Sequence, residues 1–308
     1  MGPTALGKTA IAVELAERLS AEIVSADSMQ VYRGLPLLTN QPSADQAARV
    51  RHHLTGFVPP SEEFSVAEYS RLAQAAIDSI RARRRRVVVE GGSGLYVRAA
   101  LGGLSFGAPP DAALRRRLAE LTAREGLTAL LQELRRRDAA TAATIDAANP
   151  RRLLRALETV MAQGAPLAPE QRLRLWSGES SYVYRLVALD DEREALRRRV
   201  DERVEAMVAA GVVEELRALR GLVGLSRTLQ QAIGVREFGL YLDGALSLDE
   251  ATAQTKARTR RYVRRQLTWM RKLPDAVRIA VTGRSPSAVA DDIVGRLLAP
   301  DPAPEVHA

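Results

Sequence analysis

The chain has 308 residues, 46% hydrophobic and 27% charged, with 45 Lys and Arg against 37 Asp and Glu for a net charge of +8. That length supplies about two domains with buried cores, and no apolar run approaches the roughly 18 residues of a membrane helix. With no cysteine and three histidines, His52, His53 and His307, disulfides, iron–sulfur clusters and thiolate zinc sites are excluded, so any metal needs oxygen ligands.

The segment Met1–Thr9 lacks the charged n-region and apolar h-region of a secretory signal, and the cytoplasm is the expected compartment. Ile11 to Leu19 places apolar residues at helical spacing, and Glu22 to Ala26 is a short apolar run ending at Asp27, which predicts helix and then buried strand. Val66 to Arg83 predicts a second helix, followed by the β-branched strand Val87-Val88-Val89 and Gly91-Gly92. Helices alternating with short, wholly apolar strands predict an α/β fold with a parallel sheet covered on both faces. Beyond Pro109-Pro110 the strand signal stops. Asp111 to Arg137 and Pro150 to Gln163 are helical by spacing and broken at Asn149-Pro150 and Gly164-Ala165-Pro166. A strand returns at Tyr184–Asp190, and helices dominate from Glu192 to Leu273. The expected organisation is a first core part at 1–108, a helical insertion at 109–183, a second, largely helical core part at 184–299 and a disordered Pro- and Ala-rich tail at 300–308.

The charge is local. All but three of the 45 basic residues are arginine, and Lys256, Arg258, Arg260, Arg261, Arg264, Arg265, Arg271 and Lys272 stand in one stretch with no acid. This stretch equals the whole net charge, consistent with a polyanionic partner or with a solvated basic face.

Gly2-Pro3-Thr4-Ala5-Leu6-Gly7-Lys8-Thr9 matches G-x-x-x-x-G-K-[ST] and opens directly onto the first predicted helix. The glycines let backbone N–H groups turn inward around phosphate oxygens, the helix start adds partial positive charge, Lys8 adds a full one, and the Thr9 hydroxyl can ligate Mg²⁺. Such a loop normally hangs from a buried strand, yet Met1 alone stands ahead of Gly2 here, so a start upstream of Met1 is expected. Asp27 follows the next strand and belongs beside the cradle at the crevice of a parallel sheet, as a water-mediated Mg²⁺ ligand, a proton acceptor or a turn cap. Glu90 ends a second apolar strand, in the manner of the acid that positions Mg²⁺ and water in nucleotide hydrolases.

Together these segments resemble the bacterial tRNA dimethylallyltransferase family, from Gly2 to about Arg271. The resemblance runs through the Gly2–Thr9 loop, Asp27-Ser28 with Val31-Tyr32-Arg33-Gly34, Thr39 with Pro42, and His52-His53-Leu54. It continues through Gly91-Gly92-Ser93-Gly94-Leu95-Tyr96, Asn149-Pro150-Arg151-Arg152 with Arg155-Ala156-Leu157-Glu158, Gln231-Ala232-Ile233-Gly234, and Thr259-Arg260 with Tyr262, Arg265-Gln266 and Thr268-Trp269.

The resemblance implies transfer of a dimethylallyl group from dimethylallyl diphosphate to the exocyclic amine of the adenosine 3′ to the anticodon, on a P-loop core with a helical insertion that grips the anticodon arm. It implies Asp27 as the base and Lys8 and Thr9 as catalytic partners. Gly2, Pro3, Thr4, Ala5, Leu6, Gly7, Lys8 and Thr9 would hold the diphosphate with Mg²⁺ on Thr9. Asp27, Ser28, Met29, Gln30, Arg151, Arg152, Leu153, Leu154 and Arg155 would contact tRNA, and Ser93 and Arg115 would flank the flipped base. A monomer with no membrane attachment is expected. The chain departs from the family pattern at Leu6 (usually Ser), Gln41 (Lys), Gly56 (Asp), Glu90 (often Gly), Ser93 (often Thr) and Val235 (Tyr). Three alternatives remain at this stage: an enzyme prenylating free adenine nucleotides, a P-loop kinase or ATPase, and an inactive RNA-binding protein.

Overall fold

The computed structural model describes residues 1–104, 111–168, 180–222, 224–271, 273 and 276–298. The Pro109-Pro110 break, the 108/109 boundary, Lys272 and the 300–308 tail lie outside these residues. The chain divides into two compact units, Met1–Leu101 with Ser181–Ala308, and Gly102–Ser180.

In the first unit, β1 (Ala21–Ser25) is buried at every position, as a strand covered on both faces must be. It lies between β2 (His52–His53) and β3 (Arg86–Glu90), all parallel, with Ser25 opposite Glu90. The expected parallel α/β sheet is present. The connections are helical: α1 (Lys8–Leu19) enters β1, α2 (Pro36–Thr39) and α3 (Ala44–Arg49) precede β2, α4 (Val66–Ala82) precedes β3, and α5 (Gly94–Ala100) follows it. A second parallel pair, β4 (Val187–Asp190) and β5 (Val277–Ala280), completes the strands described. The return strand is shorter than expected, Val187 to Asp190 against Tyr184 to Asp190. Two strands that periodicity did not predict, β2 and β5, are two and four residues long, too short for alternation to register.

Met1 and Gly2 run between the two sheets. The Met1 ammonium donates to the Val187 carbonyl at 2.6 Å, the Leu189 N–H donates to the Met1 carbonyl at 2.8 Å, and the Gly2 N–H donates to the Gly91 carbonyl at 3.3 Å. On the Met1 side of this bridge, a cavity of about 650 Å³ separates β3 from β4, lined in part by Val87, Val88, Val89, Leu186 and Val187. A core of Leu6, Ile11, Leu15, Leu189, Leu196, Val200, Val263, Ile279 and Ile293 packs α1 and the β4–β5 pair against α9 (Arg193–Ala209), α13 (Leu248–Met270) and α14 (Pro286–Leu298). Between α9 and α13 lie α10 (Val212–Leu222), α11 (Arg227–Gln230) and α12 (Val235–Leu242).

The second unit is helical among its described residues, with α6 (Ala112–Arg137), α7 (Ala139–Thr144) and α8 (Pro150–Gln163) around Leu118, Leu130, Leu134, Leu153, Leu157 and Val160. Pro150 opens α8 after Asn149, whose side chain accepts the Arg152 N–H, the start signal its sequence carries. The single helix expected from Asp111 to Arg137 is interrupted at Gly126, whose φ of 77° breaks the helical path.

Candidate active site

The loop before α1 turns because Ala5 (φ 70°) and Gly7 (φ 71°) both take the left-handed conformation. Successive N–H groups thereby face one side, an arrangement suited to anions. Among the described residues, the N–H groups of Ala5, Leu6 and Gly7 donate no hydrogen bond, whereas the Thr4 N–H donates to Gln266 Oε1 at 2.9 Å. Lys8 Nζ folds back to the Pro3 carbonyl at 3.0 Å. The Leu6 side chain, 2% exposed, sits in the core, so any part Leu6 takes in anion binding is through its backbone alone.

The loop is held by partners remote in sequence. Gln266, on α13, accepts from Thr4 and donates through Nε2 to the Gly92 carbonyl at 2.9 Å. This staple needs bare backbone at the end of β3: a Cβ on Gly92 would lie 2.3 Å from Gln266 Nε2, and one on Gly94 would lie 1.9 Å from the Trp269 ring. Arg203, on α9, donates to the Thr4 hydroxyl. Sequence reasoning did not single out Arg203, because the charged run around it reads as a solvated helix face.

Asp27 sits two residues beyond β1. Its Oδ1 accepts the Met29 N–H at 2.8 Å and the Gln30 N–H at 3.4 Å, fixing a turn, and among the described residues no hydrogen bond falls on its Oδ2. Asp27 therefore caps a turn with one oxygen and leaves the other available for chemistry. Glu90, the last residue of β3, is 7% exposed and accepts from Thr9 Oγ1 at 3.3 Å.

These groups form one electrostatic cluster. Burial lowers the Lys8 pKa from the ordinary lysine value, with Glu90 and Asp27 opposing that fall and Arg203 adding to it. Burial lowers the Arg203 pKa, opposed by Asp27. Burial raises the Glu90 carboxyl, opposed by Lys8 and reinforced by Asp27. The phenols of Tyr69, Tyr96 and Tyr262 are kept protonated first by burial, with the negative charge of Asp27 also contributing in each case. Thr9, Glu90 and Asp27 are hard-oxygen donors that fit Mg²⁺, which takes one or two carboxylates together with phosphate oxygens and water.

The remaining expected residues fall into three groups. Ser28 and Met29 are half-buried in the Asp27 turn, and the half-buried Ser93 precedes α5 with no hydrogen bond on its hydroxyl. In the helical unit, Arg115 Nε and Nη2 grip the two oxygens of the buried Glu158 at 2.7 and 3.0 Å, and Arg155 Nη1 lies 3.6 Å from the same carboxylate. Arg151 and Arg152 are exposed on the first turn of α8, and Leu154 is half-buried against the helical core. Two expected RNA contacts are corrected. Leu153 is fully buried in the helical core. Gln30, 5% exposed, accepts from Ser25 Oγ at 2.7 Å and donates to the Asn40 carbonyl at 2.7 Å. Both side chains are committed to the protein interior.

A parallel α/β core, an anion-binding loop at a helix start and carboxylates at the ends of two adjacent strands define a P-loop-type protein built to act on a phosphorylated substrate. Residues 30–273 match the IPP transferase family. The chain is 45% identical to a tRNA dimethylallyltransferase of Geobacillus kaustophilus, covering 88% of this chain and 86% of that one. A tRNA isopentenylpyrophosphate transferase structure from Bacillus halodurans superposes with a TM-score of 0.69 at 36% identity, over 96% of this chain and 94% of that one. A eukaryotic dimethylallyltransferase crystallised acting on tRNA shares the fold, with a TM-score of 0.76 at 23% identity over 96% of this chain and 78% of that one. The chain belongs to the IPP transferase family.

Proposed function

We propose that this enzyme transfers a dimethylallyl group from dimethylallyl diphosphate to the exocyclic N6 amine of the tRNA adenosine 3′ to the anticodon. The observation that carries the reading is the anion-binding loop with Lys8 and Thr9 in the same buried charge cluster as Asp27. Bond formation between N6 and the allylic carbon breaks the carbon–oxygen bond to diphosphate and releases a proton from nitrogen. Negative charge grows on the leaving group, where the free N–H groups of Ala5 to Gly7, the Lys8 ammonium and the Arg203 guanidinium stabilise it. Asp27 Oδ2 takes the amine proton, and its Oδ1 stays fixed in the turn. Thr9 would hold Mg²⁺, which when bound supplies further positive charge to the departing diphosphate.

The adenine must leave its stack to reach a buried acceptor site. Ser93 stands at the end of β3 for contact with that base. On the helical unit the exposed Arg151 and Arg152 would supply positive charge for the anticodon arm, while Arg115 and Arg155 cluster around Glu158; on α13, Lys256, Arg258 and Arg260 are paired with Glu205, Glu237 and Asp201. No helix among the described residues is long and apolar enough to cross a membrane. A tRNA acceptor supports a cytoplasmic reaction, and the position of every named group on one chain supports a monomer.

Glu90 beside Thr9 favours one second reading, a P-loop kinase or ATPase. Incubation with labelled dimethylallyl diphosphate, an anticodon stem-loop, AMP and, separately, ATP distinguishes the readings. Label on the stem-loop alone supports ours, and label on AMP alone or ATP consumption without prenyl transfer overturns it.

A further inference from the structure

Glu90 takes no part in the reaction derived above, yet it occupies the most restricted position in the site. Its backbone is fixed by the parallel register with Ser25 and by the Ala26 N–H donating to its carbonyl at 2.6 Å. Its side chain is nine-tenths buried, and its one protein hydrogen bond comes from Thr9 Oγ1 at 3.3 Å, onto Oε1. Among the described residues, no hydrogen bond falls on Oε2 and no ion pair within 4.0 Å reaches either oxygen. Lys8 is left in a similar condition, partly buried with a single hydrogen bond, to a neutral carbonyl, among the described residues. A buried charge with so little compensation is costly to the apo protein. Two opposite charges held in one cluster without closing on each other call for a ligand that brings both signs. A bare anion would be repelled by Glu90 and a bare cation by Lys8. A divalent cation bound to a diphosphate presents negative oxygens to Lys8 and positive charge to the carboxylate.

We propose that the Glu90 carboxylate and the Thr9 hydroxyl together form the protein's half of a divalent-cation site, with the diphosphate supplying oxygens for the other half. The inference rests on the reading of Gly2–Thr9 as a diphosphate cradle. It assigns to Glu90, which the reaction above does not use, the role of a ligand. The Thr9 hydroxyl donates its proton to Glu90, which leaves its oxygen lone pairs for the cation. Both donors are hard oxygens, the type Mg²⁺ and Mn²⁺ prefer.

The test uses the full chain with Mn²⁺ and inorganic pyrophosphate, without tRNA, and counts free Mn²⁺ by electron paramagnetic resonance. In the wild type, pyrophosphate should promote Mn²⁺ binding. Glu90→Gln and Thr9→Val should each weaken that pyrophosphate-dependent binding by roughly 10- to 100-fold, the usual loss when a metal site loses one of its supports. Glu90→Asp should fall between Glu90→Gln and the wild type. Wild-type Mn²⁺ affinity in folded Glu90→Gln overturns the assignment of Glu90, whatever Thr9→Val does. Pyrophosphate binding that survives Lys8→Ala unchanged overturns the cradle reading instead, and this inference with it. Thermal melting identifies any variant that has not folded, and Glu90→Ala then takes the place of Glu90→Gln.

Discussion

Gln266 is the perturbation that tests most directly how the cradle is built. Its amide makes two backbone bonds, each at 2.9 Å, one accepting from Thr4 and one donating to Gly92. Gln266→Leu keeps nearly the same volume, so little cavity cost enters, and both backbone groups lose their partner. The Gly92 carbonyl lies in a buried position and bears the full penalty of about 1–3 kcal/mol for an unsatisfied group, whereas the half-exposed Thr4 N–H regains water and costs about 1 kcal/mol. The sum is about 2–4 kcal/mol, which lowers the melting temperature of a chain this size by roughly 3–6 °C. Freed from α13, the loop must also be ordered by its ligand. If ordering it absorbs about 1.4 kcal/mol, pyrophosphate affinity measured by calorimetry falls tenfold. A variant that melts within about 1 °C of the wild type and binds pyrophosphate equally well would falsify the view that α13 holds the loop.

Four further outcomes are expected. Asp27→Asn keeps the turn, since an amide oxygen can accept the Met29 N–H, but lacks the proton acceptor. Single-turnover prenyl transfer should fall by roughly 10²-fold or more with tRNA affinity unchanged, and an unchanged rate removes Asp27 as the base. Arg151→Ala should weaken stem-loop binding and reduce the slope of log affinity against log salt by about 0.7–0.9; an unchanged slope means Arg151 meets no phosphate. Glu22, with a side chain 6% exposed, pays for burial but is held below the usual carboxylate pKa by hydrogen bonds from Arg83 and His53. A depressed pKa contributes stability that is present above about pH 4.5 and lost as pH falls through the folded-state value. Glu22→Gln should therefore destabilise by about 1–3 kcal/mol at pH 7, the gap to wild type should narrow in acid melts, and a gap that stays constant contradicts the pairing. Fusing about five β-branched residues ahead of Met1 should fill the cavity between β3 and β4 and raise the melting temperature. An unchanged melting temperature means the cavity does not accept a strand.

What could be read in the sequence was what is contiguous. Gly2 to Thr9 and the Asp27 turn are local constellations whose residue types follow from the chemistry, and β1 and β3 announce themselves as apolar runs closed by an acid. Asn149-Pro150 marked the start of α8 because capping is a local bond. What escaped depends on distance along the chain. Arg203 and Gln266 meet the loop at Thr4 across 199 and 262 residues, and no periodicity connects positions so far apart. Leu153 and Gln30 stand next to residues with exposed, functional roles, and only packing shows that their own side chains face inward. The break at Gly126 was equally invisible, since an isolated glycine in a helical pattern is tolerated as often as it interrupts.

The same long-range contacts explain how the anion site is held: Gly2 is tied to Gly91, Thr4 to Gln266 and Arg203, and Leu6 is buried in the core. These ties use groups other than the N–H groups of Ala5, Leu6 and Gly7, and Arg203 both ties Thr4 and brings positive charge to the cluster. The N–H groups of Ala5, Leu6 and Gly7, which do not serve as tethers, are thereby left unpaired for phosphate. Preorganisation of this kind costs stability in the empty protein and returns it as binding, because donors already aimed need no reorganisation when charge develops. It follows that substitutions at the tethers and at the donors should separate experimentally. Losing Gln266 lowers both melting temperature and affinity. Losing Lys8, partly buried with a lowered pKa and a single backbone bond, should lower diphosphate affinity while leaving the melting temperature unchanged or higher. A Lys8→Met variant that melts well below the wild type would show instead that Lys8 is a structural member of the loop, and the division between tethers and donors would not hold.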